Sequence, residues 1–324
     1  MTNIKPEKVR VSIGTATVLG IEFVKLESKP ETAYLQTYYK GRCMANCRFC
    51  AQSKESKATT DRIARGLYLP YETDLVVERL NKAIDIGILK RICIQTMIYK
   101  GMLNDLMWLV RNLKEPISVS LPPQKREILE KFKDNGVDKI VIPLDGITER
   151  IFDGIKGKKA KSPYRWETHW KGLREAVSIF GKGNVGTHLM VGLGETQEDA
   201  ARIIQELHDL GVYSALFAYI PIPDTNLNIG SPDLSFYRKV QLIHYLISEN
   251  ISNQNRMKFN DGKIVDFGIG EKKLERIINS GEPFTTKGCP HCNRPFATEN
   301  ASVLYNFPRE LNEQEIKEIL KEIN

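Results

Sequence analysis

Apolar positions along this chain follow two rhythms that take turns. Residues 33–39, 91–95, 117–121, 138–144, 185–191 and 213–220 are short, rich in β-branched and aromatic side chains, and bounded by turn formers. They predict strands. Residues 73–86, 103–113, 124–132, 166–180, 196–210 and 234–248 repeat apolar residues at helical spacing. Stops follow at Gly87, Pro116, Gly136, Gly181 and Gly211, and Thr196 is placed as an N-cap. Trp166, Trp170 and Phe180 read as the core face of their helix. At least six strand–helix units in strict alternation predict an α/β fold with a parallel sheet, either a barrel or doubly wound.

The flanks read differently. Residues 1–40 form a preamble or N-terminal extension, with a hairpin expected over 9–18. Residues 41–282 form the main domain. In its last part, strands at 256–259 and 263–267 and a helix at 271–278 would supply two final units. Residues 283–324 form a cysteine-containing tail: a turn-rich knuckle over 284–295, then Tyr305-Asn306-Phe307-Pro308-Arg309, then an amphipathic helix over 312–323.

Chemistry enters with the cysteines. Arg42-Cys43-Met44-Ala45-Asn46-Cys47-Arg48-Phe49-Cys50 holds three of the chain's six within eight residues, spaced C-x3-C-x2-C. Three thiolates on one loop can hold three corners of a cubane iron–sulfur cluster and leave the fourth iron open. A zinc knuckle and a disulfide scaffold are the competing readings, but zinc sites fill all four positions, and a long chain without a signal peptide is a poor disulfide scaffold. The remaining thiols are Cys93, on a predicted strand, and the pair in Cys289-Pro290-His291-Cys292. These three could bind an auxiliary cluster, its fourth ligand being His291, a hydroxyl or substrate. A zinc site in the tail, or no metal at all, remains open.

The totals change little. With 324 residues, 41% of them hydrophobic, the chain can bury one large core. No apolar run reaches 18 residues, and the N-terminus lacks a signal-like apolar stretch, so a cytoplasmic protein without a membrane span is expected. The formal net charge of +7 is spread among acidic residues. It predicts a solvated surface with mild attraction for acidic partners, and no nucleic-acid binding.

C-x3-C-x-aromatic-C after an extended segment resembles the radical S-adenosylmethionine (SAM) signature. The resemblance implies a full or partial TIM-type barrel and a 4Fe–4S cluster on Cys43, Cys47 and Cys50. SAM chelates the open iron and is cleaved to a 5′-deoxyadenosyl radical that removes hydrogen from unactivated carbon. Over about 40–230 the chain resembles the biotin synthase branch. Arg91-Ile92-Cys93 stands where that family has a ligand of its sulfur-donating cluster. Val191-Gly192-Leu193-Gly194-Glu195-Thr196 is similar to its glycine-rich SAM-facing segment, and Leu144-Asp145 to its ribose-contacting pair. Gln95, Asp145, His169, Gly192, Gly194 and Glu195 are the implied cofactor contacts, and His188 and Tyr99 are further candidates. The chain departs from that family at Ser120, at about Gly186, and around His169, where the family has an arginine.

The tail pair Cys289 and Cys292 resembles the two-protein lipoyl synthases of archaea and some bacteria. That implies sulfur insertion into an octanoyl chain on a lipoyl carrier protein, either an H protein or an E2 lipoyl domain, with a second auxiliary 4Fe–4S cluster as donor. A second radical SAM subunit and a low-potential electron donor such as ferredoxin are the implied partners. The rival is a biotin-synthase-like mutase or maturase without sulfur insertion, its tail binding zinc. A non-catalytic electron carrier is a third reading.

Overall fold

The computed structural model describes residues 4–64, 66–294 and 303–323. Residues 1–3 and Pro295, the last residue of the expected knuckle, lie outside them. The alternation seen in sequence becomes one nine-stranded sheet, ordered β3-β4-β1-β2-β5-β6-β7-β8-β9. The strands are β1 (Lys8–Ser12), β2 (Thr32–Thr37), β3 (Arg62–Ile63), β4 (Gly66–Glu72), β5 (Arg91–Gln95), β6 (Ile117–Ser120), β7 (Val137–Val141), β8 (Val185–Val191) and β9 (Val212–Ala218). From β2 through β9 every neighbouring pair is parallel. β1, β4 and β3 add an antiparallel edge. The sheet curls into a partial TIM-type barrel.

α1 (Ile13–Val18) joins β1 to β2. α2 (Thr73–Asp85), α3 (Met102–Asn112), α4 (Arg126–Asp134), α5 (Glu149–Ile155), α6 (Trp166–Phe180) and α7 (Gln197–Leu210) lead into the successive parallel strands, and α8 (Leu234–Ser248) follows β9. Their apolar stripes and the outer face of the sheet bury Val76, Leu106, Phe132, Leu173, Ile204 and Ile243 in one continuous core. Thr196 caps α7 in a reciprocal capping box with Asp199. No helix among the described residues is long and apolar enough to cross a membrane.

Three expectations need correction. Residues 9–18 are not a hairpin: Ser12 ends β1 and accepts the Thr15 N–H, which starts α1 instead of a turn. The first forty residues are not a separate preamble, because β1 and β2 lie inside the sheet. The last two barrel units do not form. β10 (Lys258–Asn260) and β11 (Lys263–Asp266) pair only with each other, antiparallel, across a tight turn at Asp261-Gly262. α9 (Glu271–Ser280) follows.

The tail, not an extra strand, lies between the two ends of the parallel run. On the β2 side, Thr32 Oγ1 donates to His291 O (2.8 Å) and Arg294 N to Tyr34 Oη (2.6 Å). Asn293 bridges Lys29 O and Glu31 N. On the β9 side, Tyr213 Oη lies 2.9 Å from Cys289 Sγ. α10 (Glu313–Ile323) packs on α8, and Phe284, Phe307 and Ile319 form a second small core with Leu242. Arg238, buried on α8, ties the tail down through Glu322, Leu304 O and Tyr305 O.

Candidate functional site

Strands end where their loops begin, so the C-terminal ends of parallel strands gather loop chemistry in one place. The loop after β2 carries the first three cysteines. It is fixed by its own backbone: Cys43 N donates to Gln52 O (2.9 Å), Lys54 N to Ala45 O (2.9 Å) and Cys50 N to Cys47 O (3.0 Å). It is also fixed to its neighbours. Met44 N bonds Ile98 O, Arg48 N bonds Ile155 O (2.7 Å), and Asn46 Nδ2 bonds Ala160 O (2.8 Å). All three thiols face a cavity of about 220 Å3. Ile98 N–H donates to Cys43 Sγ at 3.3 Å.

Burial pushes all three thiols upward, Cys50 to about 12. At Cys47 the Lys156 ammonium is the chief opposing influence. Burial thus favours the protonated thiols, and binding a metal group must displace those protons. Among the described residues, no three His, Cys, Asp or Glu side chains crowd one point closely enough to hold a single ion. Three thiols from one loop, all lining one cavity, are the donor set a cubane takes, with each thiolate on a different iron.

The strands set the cavity floor in rows, because side chains two apart share a face. Register pairs Gln36 with Gln95 and Gln95 with Ser120, and all three line the cavity. Gln36 and Gln52 bond each other at 2.8 Å. Met97, Leu121, Met190, Phe217, Ile220 and Ile222 make much of the wall apolar. Asp145 holds a left-handed backbone, φ 61°, while bridging to β8, and its carboxylate meets Lys156 Nζ at 2.6 Å. Both side chains are largely buried, and the Lys156 ammonium also donates to Pro143 O and lies over the Tyr164 ring.

His169 and His188 also line this cavity. His169 Nδ1 lies 2.9 Å from Arg165 O, which can only accept, so Nδ1 carries the proton. Its Nε2 is left as a buried acceptor with no partner. Burial holds His169 near 3 and His188 near 4, so both rings are neutral. Tyr99 stacks on Tyr39 and donates to Asp105.

Gly192, Gly194 and Glu195 are not brought to the cavity. The Glu195 carboxylate accepts Gly192 N–H (2.6 Å) and Leu193 N–H (2.9 Å), clamping the turn before α7. Burial raises its pKa and these bonds pull it back. Gly192 has φ 102°, and a Cβ there would lie 2.7 Å from Pro232. Its missing side chain serves packing against Pro232.

The second group of thiols lies one row deeper. Tyr34 pairs in register with Cys93, and Cys93 with Ser118. The residue beside Cys93 on the next strand is thus Ser118, not Ser120. Ser118 Oγ accepts from Arg91 Nη1 (2.9 Å) and donates to Cys289 Sγ (3.3 Å). Tyr34 Oη lies 3.6 Å from Cys292 Sγ. A Cβ on Gly186 would strike the Tyr213 ring at 2.3 Å, so that glycine makes room for the hydroxyl that touches Cys289. Burial pushes Cys93 and Cys292 upward, and the neighbouring thiols Cys289 and Cys292 push Cys93 further. A second cavity, about 250 Å3, opens beside Glu31 at the N-terminal end of β2 and reaches Cys289 and Cys292. His291 lines this second cavity with Cys289 and Cys292, its Nδ1 3.4 Å from the Glu31 carboxylate.

The sequence reading missed Lys156, Tyr164, Arg294 and the tyrosines of the tail site. Lys156 follows α5, a seven-residue helix too short to stand out by periodicity. Arg294 lines the cavity floor, lies over the Phe217 ring and acts electrostatically on Cys93 and Cys292. Its place after a C-x2-C pair was the available signal.

Known proteins are similar to this chain in sequence and fold. Among curated sequences, biotin synthase of Persephonella marina is 30% identical over 214 residues, covering 63% of this chain and 58% of that protein. Lipoyl synthase of Haemophilus influenzae is 36% identical over 108 residues, covering 32% of each. The chain thus spans under two-thirds of the length of these relatives. Methylornithine synthase shares the fold, with a TM-score of 0.52 at 14% identity over 66% of this chain and 62% of that one. The Radical SAM superfamily profile matches residues 38–207, half of the chain, with Cys43, Cys47 and Cys50 inside the match. The protein is a radical SAM enzyme related to the biotin and lipoyl synthases, and it belongs to the Radical SAM superfamily.

Proposed function

We propose that this chain inserts sulfur into an octanoyl chain on a lipoyl carrier protein, as one subunit of a lipoyl synthase. The observation that carries the reading is the second thiol group: Cys93 on β5 and Cys289 and Cys292 from the tail, one row beneath the cavity that the first three cysteines line. Cys43, Cys47 and Cys50 would hold a 4Fe–4S cluster with SAM, and Cys93, Cys289 and Cys292 a second cluster. When bound, the first group would supply a carbon-directed radical and the second would supply sulfur.

The chain's own residues orient and shield. The apolar wall from Met97 to Ile222 suits a saturated acyl chain and excludes water. Lys156 and Asp145 neutralise each other beside the cysteine loop. The Gln36–Gln52 pair satisfies its own polar atoms and leaves the floor rigid. Tyr213, Ser118 and Tyr34 hold the tail thiols in place from three strands.

The test is anaerobic turnover of an octanoylated carrier peptide with SAM and a low-potential reductant, with and without a second subunit, read by mass spectrometry. A sulfur-containing acyl product is expected. An unchanged peptide in every combination overturns the octanoyl assignment and leaves family membership intact.

One observation favours the rival, a biotin-synthase-like enzyme without sulfur insertion. Biotin synthases match about twice as much of the chain as lipoyl synthases do. Metal analysis separates the two: about eight irons per chain supports sulfur insertion, about four plus zinc supports the rival.

A further inference from the structure

The second cavity has no part in the chemistry assigned so far. It opens at the N-terminal end of the barrel strands, away from the loop that carries Cys43, Cys47 and Cys50. Glu31, Thr286, Lys287, Cys289, His291 and Cys292 are in its wall. Among the described residues, it shares none with the first cavity. None of Cys93, Cys289 and Cys292 lines that first cavity. Arg294, just past Cys292, lines it instead, its guanidinium 5.5 Å from the centre of the Phe217 ring. Cys289 and Cys292 thus open toward the end of the barrel opposite the first cysteine group.

The wall changes donor type from rim to interior. Glu31 and His291 are half-exposed, at 56% and 49% of their side-chain surface, with carboxylate and Nδ1 3.4 Å apart. Cys289 and Cys292 are partly buried against Ser118, Tyr213 and Tyr34 of the strands. Lys287, the cation in this wall, holds its ammonium 5.5 Å from the centre of the Tyr245 ring. A carboxylate, an imidazole and two thiols form a series that ends on the softest donor, the one ferrous iron takes in iron–sulfur groups. Among the described residues, no three of these donors converge on one ion. They mark a route and not a resting place. The rim is also fixed in position. His291 holds a left-handed backbone, φ 64°, which costs any residue with a Cβ. The Thr32 hydroxyl donates to its carbonyl (2.8 Å), while Asn293 accepts from Glu31 N (3.0 Å) and donates to Lys29 O (2.8 Å). These bonds keep the imidazole beside Glu31.

We propose that the second cavity is the inlet through which a thiophilic divalent ion, ferrous iron, reaches the tail thiols, with Glu31 and His291 as the capturing pair at its rim. The tail group is then loaded from the N-terminal end of the barrel without crossing the first cavity. The inference rests on the reading of Cys93, Cys289 and Cys292 as metal-holding thiols and is independent of the octanoyl assignment.

The test needs no turnover. It uses the full metal-free chain carrying Cys43→Ala, Cys47→Ala and Cys50→Ala, so that the tail thiols alone report, and Co2+ as the probe. Thiolate-to-cobalt charge-transfer absorption, followed anaerobically, times the arrival of the ion. Glu31→Gln with His291→Asn removes the capturing pair, and asparagine tolerates the left-handed backbone. Groups on a route change the rates in both directions and leave the equilibrium alone. Uptake is therefore expected to slow about tenfold, and removal by EDTA by the same factor, with Kd within about twofold. Unchanged rates overturn the proposal. So does a tenfold weaker Kd, which would make Glu31 or His291 a resident ligand. No charge-transfer band in either chain overturns the metal-holding reading itself, and so differs from a band that forms at unaltered rates. A second measurement keeps all six cysteines. Glu31→Trp narrows the rim, and iodoacetamide labelling of the metal-free chain is read by mass spectrometry. Labelling of Cys289 and Cys292 is expected to slow about tenfold while Cys43, Cys47 and Cys50 stay within about twofold, because the two groups open at opposite ends. Labelling of the tail thiols at the unaltered rate overturns the inlet.

Discussion

The two cysteine groups share one barrel and are built in opposite ways. Cys43, Cys47 and Cys50 come from one loop, held by bonds to the backbone at Ile98, Ala160 and Ile155. Cys93 comes from a mid-barrel strand, and Cys289 and Cys292 come from a tail nearly two hundred residues later. The first group is local chemistry on a rigid support. The second exists only once the tail lies against β2 and β9. A local site survives changes elsewhere, whereas an assembled one depends on every contact that docks the tail.

The largest effect should follow from cutting the local group. Cys47→Ala is expected to reduce 5′-deoxyadenosine formation to background and to remove about half of the bound iron. Cys289→Ala should break the comparison from the other side. It is expected to abolish thiolated product while SAM cleavage stays within about twofold, because among the described residues no hydrogen bond or ion pair joins the cysteine loop to the tail. Product formed at the normal rate by Cys289→Ala would remove the case for two functional groups. Loss of SAM cleavage in that variant would mean that the groups are not separable.

Legibility in sequence tracks the same contrast. The strand–helix rhythm and the C-x3-C-x2-C loop were readable because each signal lies within one element. The tail's docking was not: Thr32 bonds His291 across 259 residues, with no periodicity to announce it. Nor is it legible which serine stands beside Cys93, because a strand's register is a tertiary fact: pairing with β5 sets Ser118 there and Ser120 beside Gln95. α1 was read as half a hairpin because its β-branched residues suit a strand, until Ser12 caps it. β10 and β11 suit a barrel equally well in sequence, because short strands carry no sign of their partners.

Acid gives a third way to separate the regions. His244 on α8 is fully within the core, its Nε2 donating to Ser214 O (2.9 Å), next to the Tyr213 that touches Cys289. Burial lowers its pKa to about 4. Above about pH 6.5 the ring is neutral folded or unfolded, and this group contributes nothing to pH dependence. Below that the unfolded chain binds a proton the folded one resists. Stability is then lost as pH falls toward 4, by up to about 1.4 kcal/mol per pH unit for this ring. His169 and His188 act with the same sign. Urea unfolding at several pH values should show His244→Asn losing about one proton's share of that slope, and an unchanged slope would remove His244 from the account.

The smallest expected effect concerns Glu195, where motif resemblance and geometry part. The resemblance makes it a cofactor contact, while the structure has both its carboxylate oxygens occupied by Gly192 and Leu193 N–H. Glu195→Gln keeps the shape but turns one acceptor into a donor facing an N–H. One buried amide is then left unsatisfied, at a cost of about 1–3 kcal/mol. The turn it clamps leads into α7, and none of Gly192, Leu193, Gly194 and Glu195 lines the cavity, so the KM for SAM should stay within about twofold. Thermal unfolding and SAM titration of the same variant decide between the two roles. A clear drop in Tm with unchanged SAM affinity fits a clamp. Unchanged Tm with SAM binding weakened tenfold would restore the role that the motif alone suggests, and would require the carboxylate to leave the backbone when cofactor arrives.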